Sequence, residues 1–274
     1  MTGEIEDSQQ SAALAGTYSD GALVYSDFWA PVLLPFQIAL LDRLDLSACR
    51  SILDLGAGVG MFLPELERVA PDARLVASDL SSGMLRKASS DHGRVVADCM
   101  TLPFADASFG AVACMFMLFH APDARHALGE TARILESGGH LAVAVWGAEG
   151  PFPPDDIWLE ELTASGAAAS VRFSHVDLMD TPELLAGLLE GAGFEQIRIE
   201  RDALALTVTP DDYLRFMTEL TGRDRLASLD AEVRAATIAR VRDRWAALPA
   251  AAWSMADEVL LATAQRPVVG RLPR

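Results

Sequence analysis

The stretch Ile52-Leu53-Asp54-Leu55-Gly56-Ala57-Gly58-Val59-Gly60 decides how the rest of the chain is read. A short apolar run enters three glycines at alternate positions, and an amphipathic stretch over 61–69 follows. A buried strand, a tight turn and a helix account for that order, because glycine lets the backbone turn sharply and approach a ligand closely. A dinucleotide turn, G-x-G-x-x-G, would want glycine where Met61 stands, and a Walker-type phosphate loop would want Gly-Lys-Ser/Thr; the stretch has neither. Asp54, two places before the first glycine, suits a cationic ligand better than a pyrophosphate.

Outward from this turn, apolar runs at 74–78, 95–97, 110–116 and 140–146 read as further strands. Helical patterns lie between them, one capped by Ser81 or Ser82 and running to about residue 90, another over 122–136 and stopped by Gly138-Gly139. Apolar strands alternating with helices imply a parallel sheet covered on both faces. Beyond Trp146 the pattern changes. Residues 147–180, with Pro151, Pro153 and Pro154, read as an irregular lid with a short helix. A helix over 182–190, a long strand over 194–208 bent near Asp202, two helices within 211–247 and a last strand over 259–264 complete the chain. Toward the N-terminus, the first dozen residues are expected to fray. Residues 17–46 have a helical pattern that Pro31 and Pro35 should break. The expected division is a helical cap over 1–46, a core over 47–147, a lid insertion over 148–180, and completion of the sheet over 181–274 with a helical lid at about 210–248.

Composition narrows the partners. A chain of 274 residues with 51% apolar side chains can bury a sizeable core. The net charge of -17 repels phosphate backbones and anionic lipid, so neither nucleic acid nor membrane is expected as a partner. Lys87 is the only lysine. The arginines of 223–244 are interleaved with Asp224, Asp230, Glu232 and Asp243, which reads as a solvated amphipathic helix. Three cysteines, none in a C-x-x-C pair, fit a reducing compartment. The acidic, polar residues 1–10 show no signal-peptide pattern, and the longest apolar run, 111–119, is too short to span a bilayer. A cytoplasmic location is expected. No metal constellation is evident either: Asp155 and Asp156 are adjacent, so their side chains diverge.

Two further acids fall at strand ends. Asp79 could accept hydrogen bonds from both hydroxyls of a ribose, although an acid there also serves as a plain helix cap. Asp98 could receive an adenine amino group, with Leu80 and Met84 against the ring faces, although core packing explains those two equally well. Taken in order, ILDLGAGVG, VASDLSSGML, VVADCMTLPFADASFGAV and HAPDARHALGETARILESGGHLAVAVWG cover about 51–147. This set resembles the class I S-adenosylmethionine-dependent methyltransferases, in particular the small-molecule branch similar to the ubiquinone/menaquinone enzymes. Weaker similarity continues through LLAGLLEGAGFEQIRI. The resemblance implies an α/β, Rossmann-like sheet of seven strands, mostly parallel with a final antiparallel hairpin, under helical lid segments. It implies S-adenosyl-L-methionine as cofactor. The turn of Gly56, Ala57, Gly58 and Gly60, with Asp54, would hold its methionine part, Asp79 its ribose and Asp98 its adenine, with Cys99 and Met115 completing the binding residues. One departure is Ser108-Phe109-Gly110, where the family usually carries Asp in the third place. No Asp/Asn-Pro-Pro-Tyr follows the fourth strand, which removes a base- or amide-nitrogen methylase of that type.

Methyl transfer from a sulfonium is an in-line displacement with a neutral leaving group, so the enzyme chiefly positions the acceptor and excludes water. His120, after the fourth strand, is the candidate base or acceptor-orienting group and a candidate cofactor contact, with bracing of its loop as the plain alternative. His126 and His175 read as surface or packing residues. Tyr18, Tyr25, Phe28 and Trp29 form an aromatic cluster ahead of the first strand, and Tyr25 and Trp29, candidate cofactor contacts, are expected to face the cofactor or the acceptor pocket, where aromatic faces suit a sulfonium. Trp146, Phe152, Trp158, Tyr213 and Phe216 are candidates for the rest of the pocket wall. The expected activity is methyl transfer to a small, largely apolar or aromatic metabolite. The alternative is a cofactor-binding cyclase that does not methylate.

Overall fold

The computed structural model describes residues 2–169 and 175–268. Helices α1 (Thr2–Asp20) and α2 (Ala22–Leu41) precede the sheet. Strands and helices then alternate: β1 (Ser51–Leu55), α3 (Leu63–Val69), β2 (Arg74–Asp79), α4 (Ser82–Leu85), β3 (Gly93–Val96), β4 (Phe109–Met115), α5 (Ala124–Ile134) and β5 (Leu135–Trp146). There follow α6 (Pro153–Ala164), α7 (Pro182–Gly191), β6 (Glu195–Thr207), α8 (Pro210–Phe216), a π-helical turn (Met217–Thr221), α9 (Arg223–Ala227), α10 (Ala231–Ala246) and β7 (Ser254–Gln265). The seven strands form one sheet in the order β3-β2-β1-β4-β5-β7-β6. β1 to β5 are parallel, and β7 runs antiparallel to both β5 and β6.

Every residue of β1 and β4 is buried, as expected for central strands covered on both faces. Strand order reverses between β1 and β4. Loops leaving the two strands diverge there and open a crevice at their carboxyl ends, where open α/β sheets bind ligands.

Several expectations are corrected. Residues 2–20 form one helix rather than a frayed tail, because the C-terminal part of α1 packs on α4 and the π-helical turn. α2 runs unbroken through Pro31 and Pro35. Its buried residues, among them Leu33, Phe36, Leu40 and Leu41, hold it down where the prolines remove helix hydrogen bonds. At 20 residues α2 is also long and apolar enough to cross a membrane by length and composition, which the reading of 111–119 overlooked. It packs on α3, α8, β5 and β7. α4 spans a single turn instead of reaching residue 90, although Ser81 caps it as expected, accepting from the Met84 N–H.

The lid helices are tied together by aromatic packing. Tyr213 of α8 contacts the rings of Phe152, Phe216, Trp245 and Trp253, and Trp245 Nε1 donates to Pro154 O at 3.0 Å. The arginine-rich segment is engaged within the fold. Arg223 pairs with Asp20, Arg240 with Glu161 and Arg244 with Glu160 and Glu161. Arg225 and Arg234 donate to main-chain carbonyls.

Candidate active site

The glycine turn is locked by its own backbone. Gly56 has φ +75°, in the left-handed region that favours glycine, and a Cβ there would lie 2.5 Å from Met117 Cγ. The Gly56 and Ala57 N–H groups both donate to Ser78 O, which fastens the turn to the end of β2. Asp79 completes the brace. Its Oδ2 accepts from the Gly58 N–H at 2.8 Å and its Oδ1 from the Ser81 N–H at 2.7 Å. A carboxylate has about four acceptor positions, so those two bonds leave room for ligand hydroxyls.

A pocket opens over these strand ends. Its floor comes from Leu55, Gly56, Gly58, Asp79, Leu80, Met84, Asp98, Cys99 and Met115, and its wall from Tyr18, Tyr25, Phe116 and His120. Asp54, Ala57 and Gly60 lie in the turn but do not line the pocket, and Trp29 lines a neighbouring cavity instead. The face Ser11, Leu14, Ala15 and Tyr18 of α1, spaced i, i+3, i+4 and i+7, also lines the pocket. That helical spacing stands in the sequence, but an expectation of fraying hides it. Phe116 went unnoticed as well. Its backbone takes φ +55°, which a side-chain-bearing residue rarely adopts. The strain is held by Phe116 N–H donating to Ala144 O at 2.8 Å and by ring contacts with Phe36 and Trp146.

The electrostatics favour a cationic ligand without phosphate. Among the described lining residues the formal charges are the carboxylates of Asp79 and Asp98. Asp54 is 2% exposed, and its Oδ2 is buried without a hydrogen-bond partner. Burial, and then the charge of Asp79, raise its carboxyl to about 7. Burial also raises Asp79, while the bonds from Ser81 and Gly58 pull it back. The Tyr25 phenol is pushed far above its ordinary range by burial, then by Tyr18, Asp79 and Asp54, so it stays neutral. Burial pushes the Cys99 thiol up to about 12, which keeps it protonated and unreactive. A buried carboxylate oxygen without a partner, a braced acid with free acceptor positions and a cradle that admits no Cβ fit S-adenosylmethionine, which carries an ammonium, a sulfonium and ribose hydroxyls.

A second cavity of about 310 Å³ adjoins the first and is walled by Trp29, Trp146, Phe152, Tyr213 and Phe216, with Asp155, Asp156 and Asp257 among its polar groups. Tyr213 Oη donates to Asp155 Oδ1 at 2.9 Å. Tyr18, Tyr25, Phe116 and His120 line both cavities and form their common boundary. Trp158 instead lies in the core at 1% exposure. Among the described residues, no three histidines, cysteines or acids gather in a way that could hold a metal ion.

Comparison with known proteins bears on the family and the fold. A family model described as "Methyltransferase domain" matches residues 53–143. The demethylmenaquinone methyltransferase of Corynebacterium urealyticum is 44% identical over 103 residues, 37% of this chain and 44% of that protein. The malonyl-[acyl-carrier protein] O-methyltransferase of Methylococcus capsulatus is 30% identical over 230 residues, 78% of each chain. The structure of the YcgJ protein of Bacillus subtilis superposes with a TM-score of 0.56 at 18% identity, covering 84% of this chain and 98% of that one. This chain belongs to the class I S-adenosylmethionine-dependent methyltransferases. Its match to the demethylmenaquinone methyltransferases of Corynebacterium spans less than half of their length.

Proposed function

We propose that this chain transfers the methyl group of S-adenosylmethionine to a small, largely apolar or aromatic molecule held in the second cavity. The observation that carries the reading is the boundary of Tyr18, Tyr25, Phe116 and His120, across which a cofactor pocket meets an aromatic cavity. When bound, the cofactor supplies an activated methyl on a sulfonium. Asp79 holds the ribose through its open acceptor positions, and Asp98 meets the adenine beside Leu80, Met84 and Cys99. Asp54 and the glycine turn favour the cationic methionine end. Tyr25, a neutral phenol, presents an aromatic face to positive charge. The aromatic walls orient the acceptor and exclude water, the two contributions a displacement of this kind needs most. His120 stands beside the acceptor.

The net charge of -17 and the internal pairing of Arg223, Arg240 and Arg244 support a small-molecule partner rather than nucleic acid. Free cysteines support a reducing, cytoplasmic setting. The test is incubation of candidate phenols, quinols and amines with methyl-labelled cofactor, read as product mass. A product heavier by one methyl supports the proposal. Conversion without change of mass marks a cyclase, and failure to bind S-adenosylhomocysteine ends the reading.

A further inference from the structure

Asp54 sits in β1 between buried Leu53 and Leu55, one layer behind the pocket floor. Its partners in register are Ala77 on β2 and Ala113 on β4, whose side chains offer a carboxyl no hydrogen bond. Its Oδ2 is buried and has no partner. An ionised carboxyl so placed is penalised by the loss of water. Three titratable groups face it: Asp79 from β2, Tyr25 from α2 and Cys114 from β4. Burial pushes the Tyr25 phenol and the Cys114 thiol far up, so both stay neutral. The charged neighbour is Asp79, which the Gly58 and Ser81 N–H groups brace toward its ionised form. Two carboxyls at one buried place with no cation between them keep a proton, and the unbonded one carries it. That balance changes when a cation enters the pocket in front, which Asp79 and Tyr25 both line.

We propose that Asp54 distinguishes the sulfonium cofactor from its neutral thioether product, giving up its proton when S-adenosylmethionine binds and regaining one once the methyl has left. The inference rests on the cofactor and makes no use of the acceptor. As the cofactor binds, the O–H bond of Asp54 breaks, the electron pair stays on the carboxylate and the proton goes to solvent. S-adenosylmethionine and S-adenosylhomocysteine share the same ammonium and carboxylate, so they differ at the sulfur by one positive charge. Attraction to that charge offsets the penalty on buried Asp54, and in the low dielectric behind the floor it acts without direct contact. After transfer the charge is gone, and a proton from solvent restores the neutral acid. The sign of the linkage follows. The free chain holds the Asp54 carboxyl at about 7. Below that value cofactor binding must displace a proton, and above it the carboxylate is already present. Preference for cofactor over product therefore grows as pH rises toward about 7 and levels off beyond it.

The experiment is calorimetry on the full chain with S-adenosylmethionine and S-adenosylhomocysteine, at about pH 6, in two buffers of different ionisation enthalpy. The difference in heat between buffers counts the protons released. S-adenosylmethionine should release about half a proton more than S-adenosylhomocysteine. In a second arm, dissociation constants are measured from about pH 5.5 to 7.5. The ratio of the product's constant to the cofactor's should climb about three- to tenfold across that range, within the limit of tenfold per pH unit for one linked proton. Asp54→Asn is neutral at every pH and of the same shape. It should hold the ratio within about twofold and release no extra proton. The ligands' own ammonium groups titrate alike with both chains, so the difference between chains belongs to Asp54. Equal proton release by the two ligands in the unsubstituted chain overturns the proposal, and that result needs no variant to fold. Extra release that persists in Asp54→Asn also overturns it and moves the linkage to Asp79. Failure of the unsubstituted chain to bind either ligand is a separate outcome, which refutes the cofactor assignment and takes this inference with it.

Discussion

The two adjoining cavities are built by different means. The floor of the first comes from strand ends and the turns that leave them, within residues 55–115, and much of its shape is main chain: the Gly56 turn, the N–H groups on Asp79 and the cap of α4. Side chains from widely separated segments make the second, with Trp29 on α2, Trp146 on β5, Phe152 before α6 and Tyr213 and Phe216 on α8. A floor braced by backbone hydrogen bonds is rigid and suits one invariant ligand. One made of side chains on lid helices can be reshaped without disturbing the sheet, so under the proposed function acceptor specificity would reside there.

The sharpest way to break this contrast is Gly56→Ala. A left-handed turn disfavours a side chain by about 1–2 kcal/mol, and forcing a methyl against Met117 adds about 1–3 kcal/mol. Thermal melts and calorimetry with S-adenosylhomocysteine should show the cofactor side losing both stability and affinity. An unchanged variant would mean that the turn is not the rigid element claimed here.

A pH series on Asp54 comes next in size. Its carboxyl is held at about 7 in the folded chain, against 3.8 ordinarily, by burial and then by Asp79. Between those values the folded chain keeps a proton that the unfolded chain has released. The stability contributed by protonated Asp54 is complete below the ordinary value and is lost as pH rises through about 7. Urea melts should therefore show Asp54→Asn gaining on the unsubstituted chain by up to about 1.4 kcal/mol per pH unit across that window. A constant difference between the two would remove the raised carboxyl from the account.

Asp79→Ala should weaken S-adenosylhomocysteine binding by about 1.5–3 kcal/mol, the range for charge-assisted hydrogen bonds. It also frees the Gly58 and Ser81 N–H groups. An unchanged dissociation constant in a folded variant would contradict the ribose assignment. The smallest effect belongs to the other cavity. Tyr213→Phe removes the bond to Asp155 and should cost about 1 kcal/mol of stability. Cofactor affinity should stay as it was, while the KM of whichever acceptor is turned over changes. A change in cofactor affinity instead would show that the two cavities are coupled more closely than their construction implies.

Much of the first cavity was legible because its determinants are local. Glycines at alternate positions, acids at strand ends and apolar runs of strand length survive as patterns in a linear chain. Trp29 lines the second cavity and not the first, and aromatic character alone says that a ring packs somewhere but not beside which cavity. Tyr18 was noticed only as one ring in a cluster. Its pairing with His120 joins residues 102 positions apart, and no periodicity reports such a contact. The unbroken α2 ran against a local rule, because burial of one face outweighed two prolines.

By itself, then, the sequence determined the alternation of strands and helices, the glycine turn with its flanking acids, and the exclusion of a dinucleotide turn. Each of these follows from backbone preferences and side-chain chemistry over a few neighbouring residues. Only the tertiary structure decided that the C-terminal part of α1 packs on α4, that Phe116 is held at a strained φ, and that Tyr18 meets His120 where the cavities join. Those features depend on close packing between segments far apart in the chain, and packing is a property of the assembled whole.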